Sequence, residues 1–172
     1  RDEFIKGVKK AKSVPNYFKM LKTLGMFKQI FPGLSVLSSQ LKTNDYKLQI
    51  AYMLQTNDKD KVKSKLNSLK YTNAETSDIW LLIHMSRPAE VIKDLISFKK
   101  LQSNSKLTTS QVREWAKINS KHIIKLWNWK LSVTSDDAKA EGWVGQGIGK
   151  YMREKEMELF IKGPKRTKGI GY

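Results

Sequence analysis

The chain has 172 residues, 40% of them hydrophobic, five tryptophans and a formal net charge of +17 at pH 7. That length and apolar content suffice for a folded core and exclude a disordered basic tail. The absence of cysteine excludes disulfides and thiolate metal sites, and no apolar run approaches the ~20 residues of a membrane-spanning helix.

Apolar residues recur at helical spacing and strand-like alternation is scarce, so the expected fold class is all-α, a helical array of about eight to ten helices. The first helix runs from Asp2 to Lys10, with Phe4, Ile5 and Val8 inward and Lys6, Lys9 and Lys10 outward. Ser13 to Leu34 reads as two short helices separated by Gly25 and stopped by Pro32-Gly33, with Phe18, Leu21, Leu24, Phe27 and Phe31 as core and Lys19, Lys22 and Lys28 interleaved. After a polar connection over 35–44, Asp45–Gln55 is a buried helix. Asn57-Asp58 starts a Lys-rich helix reaching Leu69, and Thr72–Met85 is the most hydrophobic segment.

Pro88 sits at the first turn of a helix running to about Leu101. Gln102–Lys106 is a polar loop and candidate subdomain hinge, after which Thr108-x-x-Gln111 forms a capping box. That helix continues to Asn119, where Ser120 can cap a fresh one reaching Leu131. Val133–Glu141 is a polar connector, Gly145–Ile161 the last helix, and residues 163–172 a basic, Gly-rich tail containing Lys165, Arg166 and Lys168. The organisation is therefore 1–34 as an opening helical unit, 35–162 as a helical body, and the tail.

A folded chain this basic meets a polyanion, of which nucleic acid is the commonest; an anionic membrane surface and mere solubility are the alternatives. Arg113, Lys117, Lys121 and Lys125 are spaced by four. In one unbroken helix they form a stripe able to follow a phosphate backbone, and a break at Ser120 would split it. The same stripe is also what an ordinary solvated face looks like. Gly145-Gln-Gly-Ile-Gly149, with Gly147 and Gly149 followed by Lys150 and Arg153, can expose backbone N–H groups to a phosphate or permit close helix approach. Of the tryptophans, most have core spacing and Trp143, beside two glycines, is the one expected at the surface, where it could stack on an unpaired base.

Catalytic signatures are scarce. His84 and His122 lie in separate apolar helices and read as packed core or interface residues. No metal-binding spacing, phosphate loop or nucleophile elbow is present. Asp58 and Asp60 could hold metal ions on a strand, but at a helix start they point about 200° apart and read as N-terminal acids.

Three segments together resemble the class II tRNA nucleotidyltransferases (CCA-adding enzymes) and bacterial poly(A) polymerases. Arg1-Asp-Glu-Phe-Ile is similar to the end of that family's neck helix. Asn16–Leu34 resembles its helix-Gly-helix-F-P-E-L segment in order and spacing. Trp143–Met152 resembles the G-P-x-I/V-G run that opens its last body helix, with Gln146 in place of the usual proline; in the second segment Gly33 stands in place of a frequent glutamate.

The resemblance implies the end of the neck, the body and the tail, which in the family hold the acceptor and TΨC arms of tRNA. It assigns catalysis, with Mg and ATP or CTP, to a head domain upstream of Arg1, so no catalytic residue, metal ligand or cofactor is expected within these residues. The RNA-contacting residues expected are Lys6, Lys9, Lys10, Lys19, Lys22, Arg113, Lys117, Lys121, Lys125, Gly147, Gly149, Lys150, Arg153, Lys165, Arg166 and Lys168. The partner expected is RNA, foremost tRNA, with a separate head chain or a ribonucleoprotein as a further partner and no membrane. The setting expected is intracellular, cytoplasm or organelle. The alternatives are a structural RNA-binding component of a ribonucleoprotein and a helical protein-interaction module.

Overall fold

A computed structural model describes residues 2–37 and 41–163, and these form twelve α-helices with no strand among them. The array is all-α, as periodicity predicts. The helices are α1 Asp2–Lys10, α2 Val14–Thr23, α3 Phe27–Ile30, α4 Tyr46–Leu54, α5 Lys59–Ser68, α6 Asn73–Met85, α7 Pro88–Lys93, α8 Leu95–Ser103, α9 Thr109–Ile118, α10 His122–Asn128, α11 Ser135–Ala140 and α12 Gln146–Lys162. None is long and apolar enough to cross a membrane. The tail residues Lys165, Arg166 and Lys168 lie outside the described residues.

Side-chain caps set most of the helix starts. Asp45 caps α4 and Asp58 caps α5, the role expected of Asp58. Thr72 with Glu75 and Thr108 with Gln111 close full capping boxes on α6 and α9. One break and one additional helix raise the helix number above the expected range. The helix expected from Pro88 to Leu101 is interrupted at Asp94 (φ −143°, ψ 72°), whose carboxylate accepts from the Ser97 N–H at 3.0 Å and hydroxyl at 2.8 Å, ending α7 and starting α8. The segment expected as a polar connector contains α11, opened by a capping box between Thr134 and Asp137 and anchored by the fully buried Ala138.

The core is continuous. At its centre α4 and α6 pack face to face, with α5 along α6; Leu48, Ile50 and Leu54 of α4 and Ile79, Leu82 and Ile83 of α6 are fully buried. The opening unit adds an aromatic cluster in which the Phe4 ring stands edge-on to Phe18 at 6.3 Å and to Phe31 at 5.6 Å, each such pair adding ~0.5–1.5 kcal/mol beyond its buried area. Gly25 takes φ +66° between α2 and α3, as its position predicts. Leu24 does not join this core. It is the C-cap of α2, where the chain turns off the helix axis, and is 63% exposed. Phe27 is half-buried.

On the other side α12 packs on α7, α8 and α11. Its fully buried Glu156 accepts from Trp129 Nε1 at 2.9 Å and from the backbone N–H groups of Ser132 and Val133 at 2.5 and 2.6 Å. Buried Asp78 pairs with Lys47 at 2.6 Å and accepts from Ser105 Oγ and the Lys106 N–H, which ties the 102–106 loop to α6.

Candidate nucleic-acid interface

The surface of α9 follows from its buried face. Val112, Trp115 and Ala116 point into the core, and the Trp115 indole donates to the Leu82 carbonyl at 2.8 Å. Helical geometry therefore leaves Arg113 and Lys117 outside, and both are exposed. The helix stops at Ile118. Asn119 folds its amide back onto the Trp115 carbonyl at 3.3 Å, and Ser120 Oγ receives the His122 N–H at 3.2 Å to start α10.

This break splits the stripe spaced by four. Arg113, Lys117 and Lys121 remain together around an open groove of about 510 Å³, floored by Ala116 and Ile124 and edged by Asn119 and Ser120. No carboxylate lines the groove, and the three cations form no ion pair among the described residues. Lys125 departs from the stripe. On α10 it turns inward to α12, donating to the Phe160 carbonyl at 2.6 Å with its ammonium 4.2 Å from the Phe160 ring centroid.

The second expected cluster sits at the start of α12. Gly145 takes φ +54° and the exposed Trp143 indole folds over Gly147. The N–H groups of Gly147 and Ile148 donate to the carbonyls of Val144 and Gly145 at 3.1 and 3.3 Å, so they serve the turn itself. Gly145, Gln146, Gly147, Gly149, Lys150 and Arg153 line a shallow groove of about 710 Å³. Gly147 admits the Trp143 indole and not a neighbouring helix, and Gly149 has only Arg153 Nη1 within reach, 3.5 Å from where a Cβ would lie.

The α1 and α2 lysines are distributed differently. Lys6 pairs with Glu3 at 3.2 Å on the surface. Lys9 is engaged with Glu75 at 2.7 Å, and Glu75 also accepts from Tyr46 Oη and from Thr72. Burial alone would raise the Glu75 carboxyl, but these hydrogen bonds outweigh it and hold it at about 2. Lys9 is thus an internal ion-pair partner more than a free contact. Lys10, Lys19 and Lys22 are exposed.

Of the two histidines, His84 is half-buried, its ring 4.9 Å from that of Trp80 and tilted 34° to it, and burial holds it below the usual imidazole range. His122 is exposed at the start of α10, so of the two expected positions, core or interface, it does not take the core one. Among the described residues no group of three or more His, Asp or Glu is placed to hold a metal ion.

Two features of this surface and its supports had no sequence signal. Lys99 reaches from α8 to cap α10, donating to the carbonyls of Leu126 and Trp127 at 2.9 and 2.8 Å, and burial lowers its ammonium to about 8. Ile124, which floors the first groove, reads in the sequence only as one more apolar residue. No family model, curated protein or solved structure matches this chain.

Proposed function

We propose that this chain binds RNA, with tRNA as the expected form, and that it grips the phosphate backbone without reading sequence. The observation that carries this reading is the α9–α10 groove, where Arg113, Lys117 and Lys121 converge with no lining carboxylate. The net charge of +17 supports it independently, because a folded basic surface concentrates polyanions. The family resemblance of the opening unit and of the α12 start supplies the class of RNA. In that reading the helical body positions the 3′ end of tRNA, and addition of CTP or ATP with magnesium belongs to a head domain outside these residues, in an intracellular setting.

The test is binding of unmodified tRNA at rising salt. Affinity is expected to fall at least ~10-fold between roughly 50 and 200 mM monovalent salt. The triple variant Arg113→Gln, Lys117→Gln, Lys121→Gln is expected to bind more weakly and to flatten the salt slope by about 2–3, one for each lost phosphate contact. Undetectable tRNA binding at low salt overturns the reading. Robust incorporation of labelled ATP or CTP into tRNA lacking its 3′ end, by this chain alone, overturns the division between grip and catalysis.

A further inference from the structure

Trp143 is 38% exposed, whereas the other four tryptophans are buried or half-buried. Its neighbour Val144 is 79% exposed. An exposed indole is ordinarily mobile, but this one is held in place. A Cβ on Gly147 would come within 2.9 Å of Trp143 Cε3, so the absence of a side chain there is what lets the ring lie down on α12. The Tyr151 ring flanks it at 5.9 Å with an interplanar angle of 38°. The ring is braced along the helix and still presents surface to solvent.

The groove next to it shares Gly147 and is walled by Lys150 and Arg153, with no carboxylate in its lining. The Arg153 guanidinium lies along the Gly149 face. Lys150 has only a long, exposed contact with Glu154, at 3.9 Å, which a phosphate could replace at little cost. A braced aromatic surface beside two available cations matches the chemistry of an unpaired nucleotide, whose base has a free π-face and whose phosphates are anionic. A base-paired helix offers no such face, since its bases are already stacked.

We infer that Trp143, Lys150 and Arg153 form a site for an unpaired nucleotide of RNA, the base stacking on the Trp143 indole and the flanking phosphates meeting the two cations. This rests on the RNA-binding reading and narrows it: the α9–α10 groove takes backbone of any kind, whereas the start of α12 selects single-stranded segments.

The test compares the full chain with its Trp143→Ala variant on two probes, a single-stranded RNA octamer and a blunt-ended RNA duplex. Intrinsic tryptophan emission and affinity are both read. The octamer is expected to quench the emission of the parent chain. In Trp143→Ala that quenching is lost and octamer affinity falls about 5- to 100-fold, while duplex affinity is nearly unchanged. Trp143→Phe retains part of the octamer affinity, and Lys150→Gln with Arg153→Gln weakens the octamer without removing the quench from the bound form. An exposed position leaves folding intact, which far-ultraviolet circular dichroism verifies. If the duplex binds but Trp143→Ala affects neither the quench nor octamer affinity, this inference fails and RNA binding stands. If Trp143→Ala instead abolishes self-association in sedimentation with octamer affinity untouched, the patch joins copies of the chain and the inference also fails. If neither probe binds the parent chain at low salt, RNA binding itself fails.

Discussion

Lys125 Nζ donates a 2.6 Å hydrogen bond to the main-chain carbonyl of Phe160 and lies 4.2 Å from the centroid of that residue's ring. One lysine thus ties α10 to the last turn of α12 through a carbonyl that has run out of helical donors. Its charge serves the body of the protein, while Lys121 and Lys117, one and two helical steps earlier in sequence, lie at the surface.

Replacing Lys125 with methionine keeps the aliphatic stem and removes the donor and the cation. We expect a loss of ~1–2 kcal/mol in denaturant unfolding, with tRNA affinity changed far less than by Lys117→Gln. Equal weakening of tRNA binding by the two variants, with unchanged stability, would return Lys125 to the interface.

Glu75 makes the acid limb of stability predictable. Its carboxyl, which burial alone would raise, is held at about 2 by Lys9, Tyr46 and Thr72. Because the folded value lies below the unfolded one, the stabilisation is present at neutral pH and is lost as pH falls from about 5 towards 2. Its size is of order 2 kcal/mol once solvent screening at the partly exposed Lys9 is allowed for. Urea midpoints measured across that window should fall for the parent chain and stay flatter for Glu75→Gln. Parallel acid limbs in the two proteins would rule this linkage out.

What could be read in advance was what local chemistry specifies. The capping box at Thr108, the Asp58 cap, the positive φ of Gly25 and the exposure of Trp143 all follow from residue types at fixed offsets. The same chemistry at Asp94-x-x-Ser97 and Thr134-x-x-Asp137 carried equal information, but the apolar run through Asp94 and the polar composition around Thr134 masked it. The split of the basic stripe depends on whether Asn119 and Ser120 continue the helix or fold back on it, which is decided by packing of Trp115 and Ile123 from two different helices. Leu24 illustrates the converse: helical periodicity put it in the core, and termination of α2 one residue earlier turned it out. Likewise, no spacing rule links Lys99 to the end of α10 or Trp143 to Gly147 as a packed pair.

Glu156 should behave as a clasp. It is fully buried and accepts from Trp129 Nε1 and two successive backbone N–H groups, which joins α12 to the segment after α10. Glu156→Gln nearly preserves shape but turns an amide N–H₂ towards donors, so ~2–4 kcal/mol of stability should be lost. Trp129, whose ring stands edge-on to Phe160 at 5.2 Å, should then emit further to the red as α12 loosens. An unchanged unfolding midpoint would mean that α12 is fastened by its apolar contacts alone.

Gly7 sets two known effects against each other. In the middle of α1 a glycine costs ~0.5–1 kcal/mol relative to alanine, so Gly7→Ala would ordinarily stabilise the helix. Here a Cβ would fall 2.2 Å from the Tyr17 hydroxyl oxygen and 2.5 Å from the ring carbon bearing it. Relieving that overlap means moving a rigid ring that also packs edge-on to Phe18 at 6.2 Å, for which overpacking costs of ~1–3 kcal/mol are usual. The clash should win, and Gly7→Ala should lower the unfolding free energy. Tyr17→Phe should not rescue it, because the ring carbon remains in the way. Tyr17→Leu should, and in that background the alanine should become stabilising, since only the helix preference is left. A thermodynamic cycle over the four proteins measures the coupling directly; a coupling near zero would show that Tyr17 moves aside freely and that α1 and α2 are not locked by this contact.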